Sequence, residues 1–170
     1  MIEAVGLELR GFEIVESATL ALDAHMPEIV AGGAVLRLAE KASVLTVSHE
    51  RRLYLARNLH TDLAEIDRAA DRALSEEDPA GPGIIECLDP LLLDVQRSFD
   101  YYESEYGKAP ASRLTLLPSP IDLTPLVPAL SEALRPVQVE TYDLTRFFFF
   151  PEAPPADVHQ MLALAIGATL

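Results

Sequence analysis

The chain has 170 residues, of which 13 are Lys or Arg and 27 are Asp or Glu, so its formal net charge is −14 at neutral pH. A chain of this length folds as one domain and buries enough apolar surface to need no covalent staples. The acidic balance argues against a nucleic-acid-binding protein, because phosphates must be met by Lys and Arg. The single cysteine, Cys87, excludes an internal disulfide framework.

The sequence contains no pattern typical of a signal peptide or a membrane span. Its first ten residues lack a basic region followed by an apolar one. The longest nearly uncharged apolar stretch, 161–170, is much shorter than the roughly 20 residues that span a bilayer. We therefore expect no direct insertion into a membrane by this chain.

The first third of the chain predicts a strand meander. An extended piece at 11–16 and a helix from Ser17, the predicted N-cap, to about residue 24 come first. Three strands then follow at hairpin spacing, with a turn at 49–51 between the second and the third. The predicted strands are 35–39, 43–47 and 52–58.

The rest of the chain alternates helices with strands. Asp89 and Pro90 mark the start of the best-defined helix, and Gly107 marks its end. The predicted elements are helices at 62–74, 90–106, 124–135 and 156–166, and strands at 112–117 and 137–142. This order predicts an α/β fold of the actin-like or RNase H-like type, with a mixed sheet and helices on both of its faces.

Four strings carry a closer resemblance. They are LLLDVQRSFDYYESEYG (91–107), LALAIGATL (162–170), VGLELRGFEIVESATLAL (5–22) and RRLYLARNL (51–59). Together they resemble the PilM-like actin-like proteins of pilus assembly over nearly the whole chain. Within that family, the branch that serves the mannose-sensitive haemagglutinin (MSHA) pilus looks most similar, because its nucleotide site is degenerate.

The resemblance implies the second half of an actin-like ATPase fold, with the first half absent. On this interpretation, residues 1–30 are a strand–helix entry segment that belongs to the adjoining subdomain. Residues 31–170 then form the RNase H-like actin-type subdomain.

The resemblance also implies a function. It indicates a non-catalytic, cytoplasmic scaffold, peripheral to the bacterial inner membrane, that links the pilus motor ATPase to membrane-anchored platform proteins. The alternative is a nucleotide-binding actin-like ATPase of the pilus or type II secretion machinery. A monomer and a homodimer are both compatible with the sequence.

The loop that would contact phosphates differs chemically from that of ATP-binding relatives. Those relatives place an Asp, a Gly and a hydroxyl residue where this chain has Arg37, Ala39 and Ser43. The Asp orders Mg²⁺ and the Gly lets the backbone approach the phosphates, so only the hydroxyl is kept. Lys41 is one further residue that a phosphate would attract.

The loop that would hold adenosine is altered as well. Relatives have a glycine pair after the strand, whereas this chain has Pro118, Ser119 and Pro120. Two prolines remove two backbone donors and fix two φ angles. We therefore predict no bound nucleotide, no other cofactor and no catalytic residue.

Other chemistries have little support. The four histidines are isolated and show no metal-ligand spacing, so we predict no metal site. The strand at 35–39 contains no carboxylate of the kind that a two-metal nuclease needs. No nucleophile motif nominates a small-molecule enzyme.

Two aromatic features are candidates for a partner interface. Tyr101 lies on a different face of its helix from Phe99 and Tyr102, which belong to the apolar stripe. The run Phe147, Phe148, Phe149 and Phe150 cannot point to one side of a strand, so two rings should face another layer or a partner. Burial on both faces of the sheet is the alternative interpretation.

Overall fold

The structure is a computed structural model that describes residues 14–26, 32–40, 43–75, 80–150 and 158–170. It contains a five-stranded mixed sheet with helices on both faces. The strands are β1 (Gly33–Arg37), β2 (Ser43–His49), β3 (Arg52–Leu59), β4 (Arg113–Leu116) and β5 (Gln138–Thr141). Among the described residues, no helix is both long enough and apolar enough to cross a bilayer.

The strand order is β3-β2-β1-β4-β5. β1, β2 and β3 pair antiparallel, whereas β1, β4 and β5 run parallel. The antiparallel part is the meander that the sequence predicts, and the parallel part needs helical crossovers between its strands. This arrangement confirms the predicted mixed sheet of the actin-like and RNase H-like type.

Six helices accompany the sheet in the described residues. They are α1 (Val15–Asp23), α2 (Leu63–Ser75), α3 (Pro82–Tyr106), α4 (Val127–Ala133), α5 (Leu144–Phe147) and α6 (His159–Gly167), with a 3₁₀ turn at Thr124–Leu126 leading into α4. Gly107 ends α3 in the left-handed conformation, with φ of 57°, as the sequence predicts.

The start of α3 differs from the prediction. The helix begins at Pro82, after Gly81, and therefore contains Pro90 in its interior. An interior proline costs a helix about 3 kcal/mol. Ile84 and Leu88 are fully buried, and Ile84 extends the predicted apolar stripe, which starts at Leu88, by one turn toward the N-terminus. This burial outweighs the cost of the proline, so the predicted N-cap Asp89 is an ordinary helical residue.

The start of α1 also differs from the prediction. Ile14 is the N-cap, and Ser17 lies inside the helix. Leu22 and Met26 pack with Val35 of β1, so α1 lies against the same sheet as the later elements. Of the predicted extended piece at 11–16, residues 11–13 lie outside the described residues, and Val15 and Glu16 are helical. The division into segments 1–30 and 31–170 stays a prediction.

The turn between β2 and β3 consists of Glu50 and Arg51. Both residues have positive φ, 50° and 59°. Positive φ at both central residues gives a two-residue turn whose twist matches the flanking strands, and Asn-Gly is the usual choice there. Tyr54 is an extra residue between the pairs Val47–Leu55 and Ser48–Leu53, so it forms a β-bulge.

The two faces of the sheet differ in chemistry. One, which we call the apolar face, packs against α2, α3 and α4 and carries Ala34, Leu36, Leu45, Val47, Leu114 and Leu116. The other, which we call the mixed face, lies toward α1 and α6 and carries Val35, Thr46, Ser48, Arg113 and Thr115. Both faces are buried along β4, as is usual for an inner parallel strand.

Candidate functional site

The loops that follow β1 and β4 lie at the same edge of the sheet. Leu36 and Leu116 are neighbours on adjacent parallel strands, and the Leu117 N–H donates to the Leu36 carbonyl at 2.9 Å. Ligands of open α/β sheets bind at the carboxyl ends of parallel strands. The structure therefore places both sequence-predicted nucleotide loops at the edge where a ligand would be expected.

The loop after β1 is closed by its own hydroxyl residue. Ser43 is buried, and its Oγ accepts from the Ala39 N–H at 3.2 Å and donates to the Ala39 carbonyl at 3.3 Å. Arg37 ends β1 half-buried, and this burial lowers the pKa of its guanidinium. A guanidinium remains cationic at neutral pH, so Arg37 gives the end of β1 a positive charge. Lys41 lies outside the described residues.

The loop after β4 lines a cavity of about 680 Å³. Its walls are residues 118–124, the end of β5 with 141–144, and His159 at the start of α6. Pro118 and Ser119 are half-buried, and Pro120 is exposed. Ser119 Oγ and His159 Nε2 are buried and have no hydrogen-bond partner in the part of the chain that the structure describes.

The two loops do not share one pocket. The loop after β1 lines a separate hollow of about 400 Å³ with Ala39, Glu40, Ser43 and the residues that follow β3. None of these residues lines the cavity beside Pro118. Among the described residues, no arginine, lysine or glycine lines either hollow.

Asp143 is a residue of this edge that the sequence analysis missed. Its carboxylate accepts from the Thr145 hydroxyl at 2.7 Å and from the Thr145 N–H at 2.9 Å, and so caps α5. These hydrogen bonds, with help from the charges of Arg146 and His159, hold the pKa of Asp143 below its usual value. An Asp two residues before a Thr at a strand end is a capping signal that the sequence offered.

A buried ion pair also escaped the sequence analysis. Arg113 Nη2 lies 3.0 Å from Asp23 Oδ1, and the two side chains are 7% and 10% exposed. Asp23 accepts a second bond from the Ser48 hydroxyl, and Arg113 Nε lies 3.7 Å from Glu140. The pair joins α1 to β4 across the mixed face. An arginine inside an apolar strand was its only signal in the sequence.

Tyr101 is exposed, as the sequence predicts. About half of its surface is accessible, 48%, while Phe99 and Tyr102 of the same helix are buried. Its ring contacts that of Tyr106, with centroids 6.4 Å apart. Its role in binding a partner stays a prediction.

The phenylalanine run adopts a different conformation from the predicted one. Phe147 ends the short helix α5 and Phe148 begins an extended segment, so the four residues do not form a strand. Three rings pack with Leu22, Tyr142 and Leu144, whereas Phe149 alone projects outward with 91% of its surface exposed. One ring rather than two is available to a partner, because the helix end rotates the others inward.

Tyr101 and Phe149 do not form one surface. Tyr101 lies on α3, which covers the apolar face, and the other phenylalanines pack on the mixed face.

Within the described ranges, no group of three or more His, Cys, Asp or Glu residues is arranged to hold a metal ion.

The chain matches no family model and no curated protein. Its fold resembles a chain in the solved structure entitled "PilM-PilN type IV pilus biogenesis complex", with a TM-score of 0.64 and 17% sequence identity. This chain has the actin-like fold of PilM. The likeness covers 98% of this chain and 54% of the solved chain, so this chain spans about half the length of the other. At this level of identity the likeness concerns the fold, and function has to be argued from sites.

Proposed function

We propose that this chain is a scaffold domain of a type IV pilus assembly platform. In this role it links the motor ATPase to membrane-anchored platform proteins at the cytoplasmic face of the inner membrane. The actin-like fold shared with PilM supports the proposal, as do the sequence strings that resemble PilM-like proteins. Our finer assignment is to the MSHA branch, near MshI, because that branch has a degenerate nucleotide site.

The chemistry of the loop after β1 is the observation that supports a catalytically silent domain. Arg37 places a cation where metal-dependent phosphate chemistry needs an anion. The Ser43 hydroxyl is bonded to both backbone groups of Ala39, so it closes the loop rather than facing a ligand. A scaffold needs neither metal nor phosphate, so these substitutions are neutral for a scaffold and damaging for an ATPase.

One observation favours the alternative of a nucleotide-binding domain. The cavity beside Pro118 has about 680 Å³, a volume suited to a small molecule. Ser119, Asp122 and His159 are among the polar residues that line it. The two proposals differ in a single measurable property, the affinity for Mg·ATP.

Calorimetric titration of the full chain with Mg·ATP tests the choice. We expect no heat of binding from the unmodified chain. The double variant Arg37→Asp with Ala39→Gly restores the acid and the glycine, and a gain of binding there would assign the loss to this loop. Binding by the unmodified chain that disappears in Ser43→Ala would overturn the silent scaffold and favour the ATPase.

The partner half of the proposal needs a separate experiment. The chain, immobilised, is presented with the N-terminal domain of the pilus motor ATPase and with the cytoplasmic tail of the membrane-anchored platform protein. We expect retention of both. A matched variant, Phe149→Ser, removes the exposed ring and leaves the three partly buried phenylalanines in place. Failure to retain either partner with the longest available form of the protein would contradict the scaffold role.

A further inference from the structure

The free edge of the sheet at β3 has the features of a docking site for an extended chain. Among the residues that the structure describes, β3 is the last strand in the order, and only β2 pairs with it. It is eight residues long, the longest strand of the sheet, and contains no proline or glycine. Alternate residues of such an edge present unpaired N–H and C=O groups to any extended segment that approaches.

The opposite edge of the sheet is much less suited to this role. β5 has four residues, and two strands of that length share few hydrogen bonds. Its Glu140 contributes negative charge to an already acidic molecule and lies 3.7 Å from the guanidinium of Arg113. The contrast singles out β3 as the edge that a partner strand would extend.

The charge at β3 is opposite to that of the whole molecule. The hairpin from His49 to Leu59 contains three arginines and one glutamate, a net of +2, in a chain whose net charge is −14. Arg51 and Arg52 are exposed and form no ion pair with the described residues. Arg57 is engaged more loosely, with Nη2 3.8 Å from Asp94. An acidic segment would therefore be attracted to this edge.

Aromatic side chains extend the surface next to the edge. The ring of Tyr54, the bulge residue, stacks edge-on with that of Tyr106, their centroids 5.2 Å apart, and Tyr106 contacts Tyr101. Tyr101 and Tyr106 are 48% and 40% exposed. Lys108 Nζ lies 5.4 Å from the centre of the Tyr54 ring and adds a further positive charge. Tyr and Arg are the side chains that dominate binding energy at protein interfaces.

A second copy of the chain fits the edge poorly. Two β3 strands paired antiparallel about their centre would place Arg52 opposite Leu59 and Arg57 opposite Tyr54, so the pairing would bring no complementary charges together. The net charge of each copy adds a general repulsion.

We propose that an acidic, extended segment of a partner protein pairs with β3 as a sixth strand, with its side chains on the α3 side lying over Tyr101 and Tyr106. The proposal does not depend on the pilus assignment, since it rests on the edge, the arginines and the tyrosines alone. It also gives the exposed Tyr101 a place in a defined surface.

Fluorescence anisotropy with a synthetic peptide tests the proposal. The probe is a blocked peptide of about ten residues that alternates Glu and Val, long enough to cover the strand. We expect it to bind the full chain, and a Lys-Val peptide to bind at least about tenfold more weakly. The same Glu-Val peptide with N-methyl groups on alternate residues keeps its charge but loses its donors, so it should lose most of its affinity. Bound peptide should also slow amide exchange within β3.

Two variants with the same change of charge localise the site. Arg51→Glu with Arg52→Glu should weaken binding about tenfold or more, whereas Arg68→Glu with Arg135→Glu, at exposed positions in α2 and just after α4, should leave it nearly unchanged. No binding of the acidic peptide, equal binding of the N-methylated peptide, or equal loss in the two variants would overturn the proposal. A dimer in sedimentation that only the Arg51, Arg52 variant dissociates would assign the edge to a second copy instead.

Discussion

The two faces of the sheet are held by different kinds of interaction. On the apolar face, α2, α3 and α4 bury a continuous set of aliphatic side chains against Leu36, Leu45 and Leu114. On the mixed face, a smaller apolar cluster around Leu22 and Ala163 adjoins a buried ion pair and several hydroxyls. The first face is therefore stabilised mainly by apolar burial, and the second by a few directional contacts.

This difference between the two faces determines which amino-acid substitutions each face tolerates. An apolar interface of many contacts tolerates exchange of one aliphatic residue for another of similar volume. A buried ion pair tolerates no single replacement, because removing one partner leaves an uncompensated charge. The following experiments test whether the two faces respond as differently as their chemistry indicates.

The largest effect is expected for Leu88→Ala on the apolar face. Leu88 is fully buried, and its truncation leaves a cavity that α3 cannot close, at a cost of about 3 kcal/mol in the free energy of unfolding. Leu22→Ala truncates an equally buried residue on the mixed face, where α1 can shift into the space, so we expect a smaller loss. Urea unfolding measures both, and equal losses would contradict the contrast between the faces.

A smaller effect is expected where α1 and α6 meet. A methyl group on Gly167 would lie 2.3 Å from the Ala18 carbonyl oxygen, so Gly167→Ala forces the helices apart at a cost of about 2 kcal/mol. Hydrogen exchange should accelerate in α1 and α6 and stay unchanged in α3.

Gly83→Ala is the control for Gly167→Ala. Its methyl group meets nothing within 4 Å, and it should stabilise the first turn of α3 by about 0.5 kcal/mol. Faster exchange throughout the protein would show that the mixed face is not a separate unit.

Tyr142, on the mixed face, makes stability depend on alkaline pH. Its burial, with help from the charge of Asp23, raises the pKa of its hydroxyl to about 12. The unfolded chain loses this proton near pH 10, so the stabilisation is complete below pH 10 and is lost between pH 10 and 12. At pH 11 the loss amounts to about 1 kcal/mol.

Tyr142→Phe should flatten that part of the profile, measured by urea unfolding at a series of pH values. Burial also raises the pKa of Tyr102 on the apolar face, so Tyr102→Phe is the matched comparison and should reduce the slope that remains. A profile that is unchanged by Tyr142→Phe would contradict this account.

The smallest effect is expected for Phe149→Ser. The ring is 91% exposed and contributes almost nothing to the folded state, so stability should change by less than about 0.5 kcal/mol. Phe147→Ser, whose ring packs 5.2 Å from that of Tyr142, should cost distinctly more. Thermal melts of the two variants compare the exposed ring with its partly buried neighbour.

The elements with strong periodicity could be predicted from the sequence. The existence of β3 and the stripe that ends at Tyr102 on α3 follow from local signals, and Gly107 marks a stop that depends on its own backbone. The bulge at Tyr54 interrupts the alternation of β3, which the sequence did not predict. The predicted start of α3 was wrong because Asp89-Pro90 has the form of a helix start. Only the burial of Ile84 shows that the helix already begins before Asp89.

The site was predictable in part. The loops after β1 and β4 could be located, because strand order places them at one edge. Their division into two hollows, and the bonding of Ser43 to Ala39, depend on three-dimensional geometry. Asp23 and Arg113 lie 90 residues apart, and no local pattern links them.

At the Glu50–Arg51 turn, the residues that would favour thermal stability differ from those that would favour the proposed binding at β3. Non-glycine residues at positive φ each cost on the order of 1 kcal/mol, so an Asn-Gly tip at this place would make the protein more resistant to heat. The same exchange would delete one of the arginines beside the open strand. Substitutions chosen to raise thermal stability and substitutions chosen to keep the proposed binding edge would therefore differ at these two positions.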